Sequence, residues 1–240
     1  KKMTEFIVDN RPCPYLDDKT SHTQYKMIPF CTTAQCQSLI DHGWRRFGKL
    51  FFRPVCQGCN ECKSMRIVLD EFNFSKSQKR VLSKNKNTKV IVRQPTLTQD
   101  HVTLYDRYHT YMKDKKGWEN DPISSQDYYH SFVDGHGEFG LEFLFIVDGV
   151  LAGIALVDVL EDGLSSIYCY YDHYFSDLSI GTFSILKQIE YAKKMNLEYI
   201  YLGYWVKEND SLSYKSKYTP YEILVSGFEL EEAPIWRRPH

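Results

Sequence analysis

Three cysteines at equal two-residue gaps, Cys56, Cys59 and Cys62 in "FFRPVCQGCNECKSMR", are the residues of this chain whose types and spacing most directly imply chemistry. Such gaps let successive backbone turns aim several sulfurs at one centre, and thiolates are the ligands that zinc and iron–sulfur clusters take. A fourth donor must come from elsewhere. Cys13 is the candidate, because the prolines around it in "RPCPYL" make a stiff loop that can hold a thiolate in place. Chance seldom produces such a run, so a metal centre is preferred here over free buried thiols. Zinc commonly uses two separated pairs of ligands, whereas three clustered thiols and a remote one favour a [4Fe–4S] cluster, with zinc as the alternative. Cys31 and Cys36, on or beside an expected helix, and Cys169, within an expected strand, read as ordinary buried residues.

A second feature is electrostatic. Residues 72–99 hold Lys76, Lys79, Arg80, Lys84, Lys86, Lys89 and Arg93 and no acidic residue. Uncompensated positive charge suits a phosphate backbone, although a solvated face is the plainer use of a charge run. Over the whole chain Lys+Arg (30) and Asp+Glu (31) nearly cancel, so net charge selects no partner. No apolar run is long enough to span a membrane, and "KKMTEFIVDNRPC" lacks the apolar core of a signal peptide. A cytoplasmic location without a membrane partner is therefore expected, where thiols favour metals over disulfides.

The elements that must position these residues are legible in part. The first half reads as loop-rich. Within it, "TTAQCQSLIDHG" suggests a short helix capped by Thr32 or Thr33 and closed by Gly43, and "WRRFGKLFFRP" suggests one strand ended by Pro54. "SMRIVLDEF" alternates, with Met65, Ile67 and Leu69 on one side. A basic helix from Ser75 and a strand "VIVRQP" follow; then Thr98 caps a helix whose apolar positions are Leu104, Tyr108, Tyr111 and Met112. "KDKKGWENDP" is turn-like. Beyond it, Asp148-Gly149 marks a tight hairpin between "LEFLFIV" and "VLAGIALVDVL", and Asp162-Gly163 turns the chain into "LSSIYCYYD". A helix from about Ser179 to Lys194 and the strand "EYIYLGYW" complete the pattern.

This order resembles the GNAT acyltransferase fold. The expectation is an α+β chain: a Cys-rich region with the metal site and basic segment over residues 1–95, then a GNAT-like transferase domain with a mixed sheet over 96–240. A coenzyme A user needs a glycine-rich turn with a preceding Arg or Gln to hold pyrophosphate at a helix N-terminus. "DLSIGTFS" offers only Gly181, so coenzyme A is not expected as the donor.

The segments "CPYLDDKTSHTQY", "GWRRFGKLFFRPVCQGCNEC", "FSKSQKRV", "DGLSSIYCYYD", "SIGTFSILKQIEYAKKMNL", "YIYLGYW" and "YKSKYTPYEIL", in this order and density, resemble the bacterial aminoacyl-tRNA–protein transferases of the leucyl type, relatives of eukaryotic arginyltransferases. His173 departs from that pattern, where a proline is expected, and "FELEEAPIWRRPH" matches nothing in it. The resemblance implies transfer of leucine from leucyl-tRNA to proteins that begin with Asp or Glu, marking them for degradation through the N-degron route. It also implies an iron–sulfur cluster or metal at the N-terminal cysteines, in agreement with the reading of Cys13, Cys56, Cys59 and Cys62.

For that reaction Asp172 is the candidate to orient or deprotonate the acceptor amine, with a plain turn residue as the alternative. Arg66 and Lys215 are candidates for the acceptor's acidic side chain. Lys76, Lys79, Arg80 and Lys84 would meet tRNA phosphates. Tyr171, Tyr204 and Tyr214 would stack on the terminal adenosine or donate to the leaving oxygen, unless they are core phenols. Two other functions are kept open: an acetyl-CoA-dependent GNAT N-acetyltransferase, and a non-enzymatic metal-bearing tRNA-binding or redox-sensing module.

Overall fold

A computed structural model describes residues 3–119 and 121–240. Lys1, Lys2 and Asn120, the last within the stretch expected to be turn-like, lie outside the described residues. The chain runs β1 (Thr4–Pro12), β2 (Thr20–Met27), α1 (Thr33–Asp41), β3 (Arg45–Phe47), β4 (Leu50–Pro54), β5 (Lys63–Val68), α2 (Lys76–Lys84), β6 (Lys89–Arg93), α3 (Gln99–Lys116) and α4 (Ser125–Tyr128). It continues through β7 (Gly140–Val147), β8 (Val150–Val159), β9 (Gly163–Tyr171), α5 (Ile180–Lys194), β10 (Tyr199–Trp205), α6 (Asp210–Ser213), β11 (Tyr221–Ser226) and β12 (Ile235–Arg237).

Two sheets result. The smaller has the order β1-β2-β4-β3; the larger has β12-β11-β5-β10-β9-β8-β7-β6, and it is mixed because β9 and β10 run parallel. The smaller sheet corrects the loop-rich expectation for the N-terminal region. Its β1 shows no alternation because both faces are open to solvent in part: Phe6 and Ile7, neighbours on opposite faces, are both exposed. "WRRFGKLFFRP" is a hairpin rather than one strand, since Gly48 takes a positive φ of 59° and turns β3 into β4. The line drawn between residues 95 and 96 runs through the larger sheet, for β5 and β6 are members of it.

Side-chain capping sets the helix starts. Thr32 and Ser75 each form reciprocal capping boxes with the Gln three residues on, and Thr98 accepts from His101 N. On one face of the larger sheet, α5 packs Phe183, Leu186 and Ile189 against Ile67, Phe145, Val157 and Leu202. On the other, α3 packs Leu104, Tyr108 and Met112 against Ile154, Leu156 and Tyr170; Tyr111 of the expected stripe is instead partly exposed. The two sheets are joined by a buried fork: Arg46 of β3 donates through Nε and Nη2 to both oxygens of Asp158 on β8, each at 2.7 Å.

Candidate active site

The larger sheet opens between β9 and β10. The two strands pair at Gly163/Tyr199, Leu164/Ile200 and Ser165/Tyr201 and then part. At that point each carries an irregularity: β9 against β8 around Ile167, β10 against β5 around Leu202. Bulges of this kind bend a strand and release its groups from the ladder. Side chains from outside the two strands then fill the opening. Arg45 of β3 donates through Nη2 to Ile167 O at 2.9 Å, and Lys215 donates through Nζ to Leu202 O and Tyr204 O, each at 2.8 Å. Gly203 makes this arrangement possible. Its φ is +76°, and a Cβ there would collide with the Arg45 guanidinium.

Electrostatically the opening is a desolvated, cation-rich wall. Burial, with Arg45 nearby, pulls the Lys215 ammonium down to about 7. Burial also lowers Arg45 itself, and its Nη1 is shut off from water with no partner among the described residues. Tyr214 exposes 41% of its surface, yet burial of its hydroxyl raises the phenol well above its ordinary value, with further contributions from Tyr218, Cys169 and Tyr171. Tyr171, at the end of β9, faces Gly181 in the first turn of α5 and contacts the rings of Tyr108 and His173. The structure thus brings Tyr171, Tyr214 and Lys215 together, and adds Arg45 and Cys169, which the sequence reading had not placed there. Cys169 is half-buried and packs against the core as expected, with its thiol pushed up to about 12 by burial.

Asp172 lies at the C-terminal end of β9. Its Oδ1 accepts from Tyr174 N at 3.0 Å, capping a short 3₁₀ turn, and its Oδ2 accepts from Arg107 Nη1 at 2.6 Å. Asp172 thus caps the turn, and its second oxygen meets Arg107 of α3, a partner no spacing rule pointed to. Tyr174 follows it and is 86% exposed.

Two expectations are corrected. Arg66 is no free fork: it is buried, meets Glu222 Oε1 at 2.8 Å and Asp41 Oδ1 at 3.4 Å, and lies over the rings of Tyr199 and Trp236. Tyr204 offers no stacking face, because it is buried and its hydroxyl donates to Gly43 O and Phe52 O. Lys215 faces the opening, but its ammonium is already engaged by two carbonyls. On α2, Lys76, Lys79, Arg80 and Lys84 are exposed, and Lys84 reaches Asp177 O at 3.3 Å.

Cys13, Cys56, Cys59 and Cys62 line one cavity of about 350 Å³, with Arg53, Tyr204 and Phe228 among its other walls. Burial first, then the neighbouring Cys13, Cys56, Cys59 and Glu61, pushes the Cys62 thiol up to about 12. Backbone N–H groups of Tyr15 and His22 donate to Cys13 Sγ and Cys56 Sγ at 3.4 Å, as they do around thiolates. The donor set and its shared cavity fit a thiolate-held metal or cluster. The sulfurs are nevertheless not drawn to a common point, and among the described residues no group of three or more His, Cys, Asp or Glu stands in a metal-holding arrangement. Cys36 is fully buried and Cys31 half-buried beside it.

The family described as "Arginine-tRNA-protein transferase, N terminus" matches residues 11–80, and "Arginine-tRNA-protein transferase, C terminus" matches residues 100–225. A protein of Campylobacter jejuni (strain 81116) named "Aspartate/glutamate leucyltransferase" is 52% identical over 227 residues, covering 94% of this chain and 95% of that one. A Helicobacter hepaticus protein of the same name is 44% identical over 98% of both chains, and one from Saccharophagus degradans is 35% identical over 92% of this chain and 94% of the other. Among solved structures, FemX aligns with a TM-score of 0.47 at 8% identity, over 84% of this chain and 79% of that one, too loosely to carry an argument.

Proposed function

This chain belongs to the arginine-tRNA-protein transferase family, and from that premise we propose that it transfers leucine from leucyl-tRNA to the α-amine of proteins that begin with Asp or Glu. The observation that carries the reading is the near full-length likeness, up to 52% identical, to proteins named for that activity. It is an aminoacyltransferase. Modified proteins would be directed to degradation through the N-degron route.

The opened strand pair supports an acyl transfer in a GNAT-like domain. There the aminoacyl ester would lie between β9 and β10, its ribose oxygen leaving as the amine attacks. The ester is already activated, and an N-terminal ammonium titrates near ~7.7–8.0, so positioning supplies most of the acceleration. Tyr171 and Tyr214, phenols held protonated by burial, would donate to the leaving oxygen. Asp172 would orient the amine from the end of β9. Coenzyme A is not proposed: the first turn of α5 offers Gly181 alone, with the Tyr171 ring packed against it. The exposed cations Lys76, Lys79, Arg80 and Lys84 of α2 would meet tRNA phosphates. Tyr174, rather than Tyr204, would supply the aromatic face for an unpaired base.

Cys13, Cys56, Cys59 and Cys62 would hold a [4Fe–4S] cluster, or zinc. The group's contribution would be to tie the Cys13 loop to the loop between β4 and β5; no step of the transfer runs through it. No helix among the described residues is long and apolar enough to cross a membrane, which accords with a proposed place in the cytoplasm.

The test is direct. Labelled leucyl-tRNA is incubated, under anaerobic and metal-replete conditions, with peptides beginning Asp, Glu or Ala. Label should enter the Asp and Glu peptides; equal labelling of the Ala peptide, or none of any, would reject the reading.

A further inference from the structure

Arg45 is a buried guanidinium without a counter-ion. Its Nη2 is fixed by Ile167 O, which sets the direction of Nη1, and that second nitrogen meets no partner among the described residues. The carboxylate that acts on it, Asp158, is already held at both oxygens by Arg46. The other groups around it, Tyr15, Tyr204 and Tyr214, are phenols that burial keeps protonated. Leaving such a cation unmet in a desolvated place is costly, and the residue in contact with it, Gly203, has given up its side chain to make room for it.

A small anion is what this site lacks. A leucyl ester carbonyl is neutral and brings no charge to the guanidinium. A tRNA phosphate is carried on a bulky, hydrated backbone, and the exposed cations of α2 are better placed for it. The first residue of a polypeptide has no chain ahead of it, so its side chain can be presented end-on to this packed opening. Arg66 is already paired to Glu222 and Asp41, and Lys215 holds two carbonyls across the opening, whereas Arg45 Nη1 has no partner among the described residues. We infer that Arg45, through Nη1, binds the side-chain carboxylate of the acceptor's first residue and so selects Asp and Glu over their amides. This rests on the leucyl-transfer reading and names the residue behind its acceptor specificity.

The test compares peptides beginning Asp and Asn, first by calorimetric binding without tRNA, then by transfer from leucyl-tRNA. With Arg45→Gln, affinity and kcat/KM for the Asp peptide should fall ~100-fold, and those for the Asn peptide by less than about tenfold. Binding of leucyl-tRNA should not change. Arg45→Lys keeps a cation but loses the fork, and should retain a reduced preference for Asp; it serves as the deciding variant should Arg45→Gln fail to fold. An Asp-to-Asn ratio unchanged in the folded variant overturns the inference, even with leucyl transfer intact. A wild-type protein that prefers the Asp peptide in binding yet transfers no leucine would instead reject the leucyl-transfer reading and leave Arg45 in its role.

Discussion

Lys215 makes the stability of this protein depend on alkaline pH, and the effect can be worked from its surroundings. Its ammonium titrates at about 7 in the fold against 10.5 in an unfolded chain, because burial and Arg45 disfavour the charge. Between those values the unfolded chain binds the extra proton, so stability rises with pH across that window. Above pH 10.5 both states are neutral and the penalty is absent. As pH falls it accumulates, and below about 7 it is complete. At ~1.4 kcal/mol per pH unit, the full window is worth about 5 kcal/mol, and the accessible step from pH 7 to pH 9 about 2 kcal/mol. Lys215→Met removes this titration. It also strips Leu202 O and Tyr204 O of their donor, a loss of order 1–3 kcal/mol per group that does not vary with pH. The assay is urea unfolding of the full chain at pH 7, 8 and 9, for wild type and variant. The wild type should gain about 2 kcal/mol relative to Lys215→Met over that range. Parallel pH profiles would refute the burial argument, whatever the absolute stabilities.

Gly203→Ala should cost ~2 kcal/mol or more, since the left-handed backbone alone disfavours a side chain by roughly 1–2 kcal/mol and the new Cβ meets Arg45; a thermal midpoint equal to wild type would contradict the packing described. Asp158→Asn leaves Arg46 buried without its charge partner and should destabilise by ~3–5 kcal/mol, read as a lower urea midpoint. Thr32→Ala removes one half of the α1 capping box and should cost ~1 kcal/mol, with the peptide-transfer rate at saturation unchanged. Cys59→Ser should abolish the visible absorption, or the bound zinc, of anaerobically purified protein; full metal content in that variant would show that the ligand set is wrongly drawn.

Much of the scaffold was legible because its signals are local. Thr32, Ser75 and Thr98 cap the helices they precede, a matter of one side chain and a backbone N–H two or three residues on. Asp148 and Gly149, both at positive φ, make the tight turn their types suggest. The alternation of Met65, Ile67 and Leu69 was legible because all three are buried, Ile67 and Leu69 in the cluster that α5 joins, while Arg66 between them pairs with Glu222 and Asp41. The N-terminal sheet left no such trace, since β1 hides neither side, and β12 was equally silent at three residues. The same charge types that read alike along the chain proved to differ in space. Arg66 and Tyr204 were taken for binding groups, but Glu222, Asp41, Gly43 and Phe52, distant in sequence, already engage them.

The sequence by itself determined the cysteine spacing, the basic helix, the caps and the turns, and its likeness across nearly its whole length carries the family. Tertiary structure decided what no spacing contains: that β9 and β10 part beyond Ser165 and Tyr201, and that Arg45 reaches Ile167 O while Lys215 reaches Leu202 O and Tyr204 O. Arg45, β9 and β10 lie far apart along the chain and are brought together by the sheet pairing, while Lys215 folds back onto β10 from the turn that follows it. A guanidinium in water and one enclosed with an idle N–H are the same letter in a sequence; burial and the absence of a partner, which make the second one reactive towards an anion, are properties of the fold.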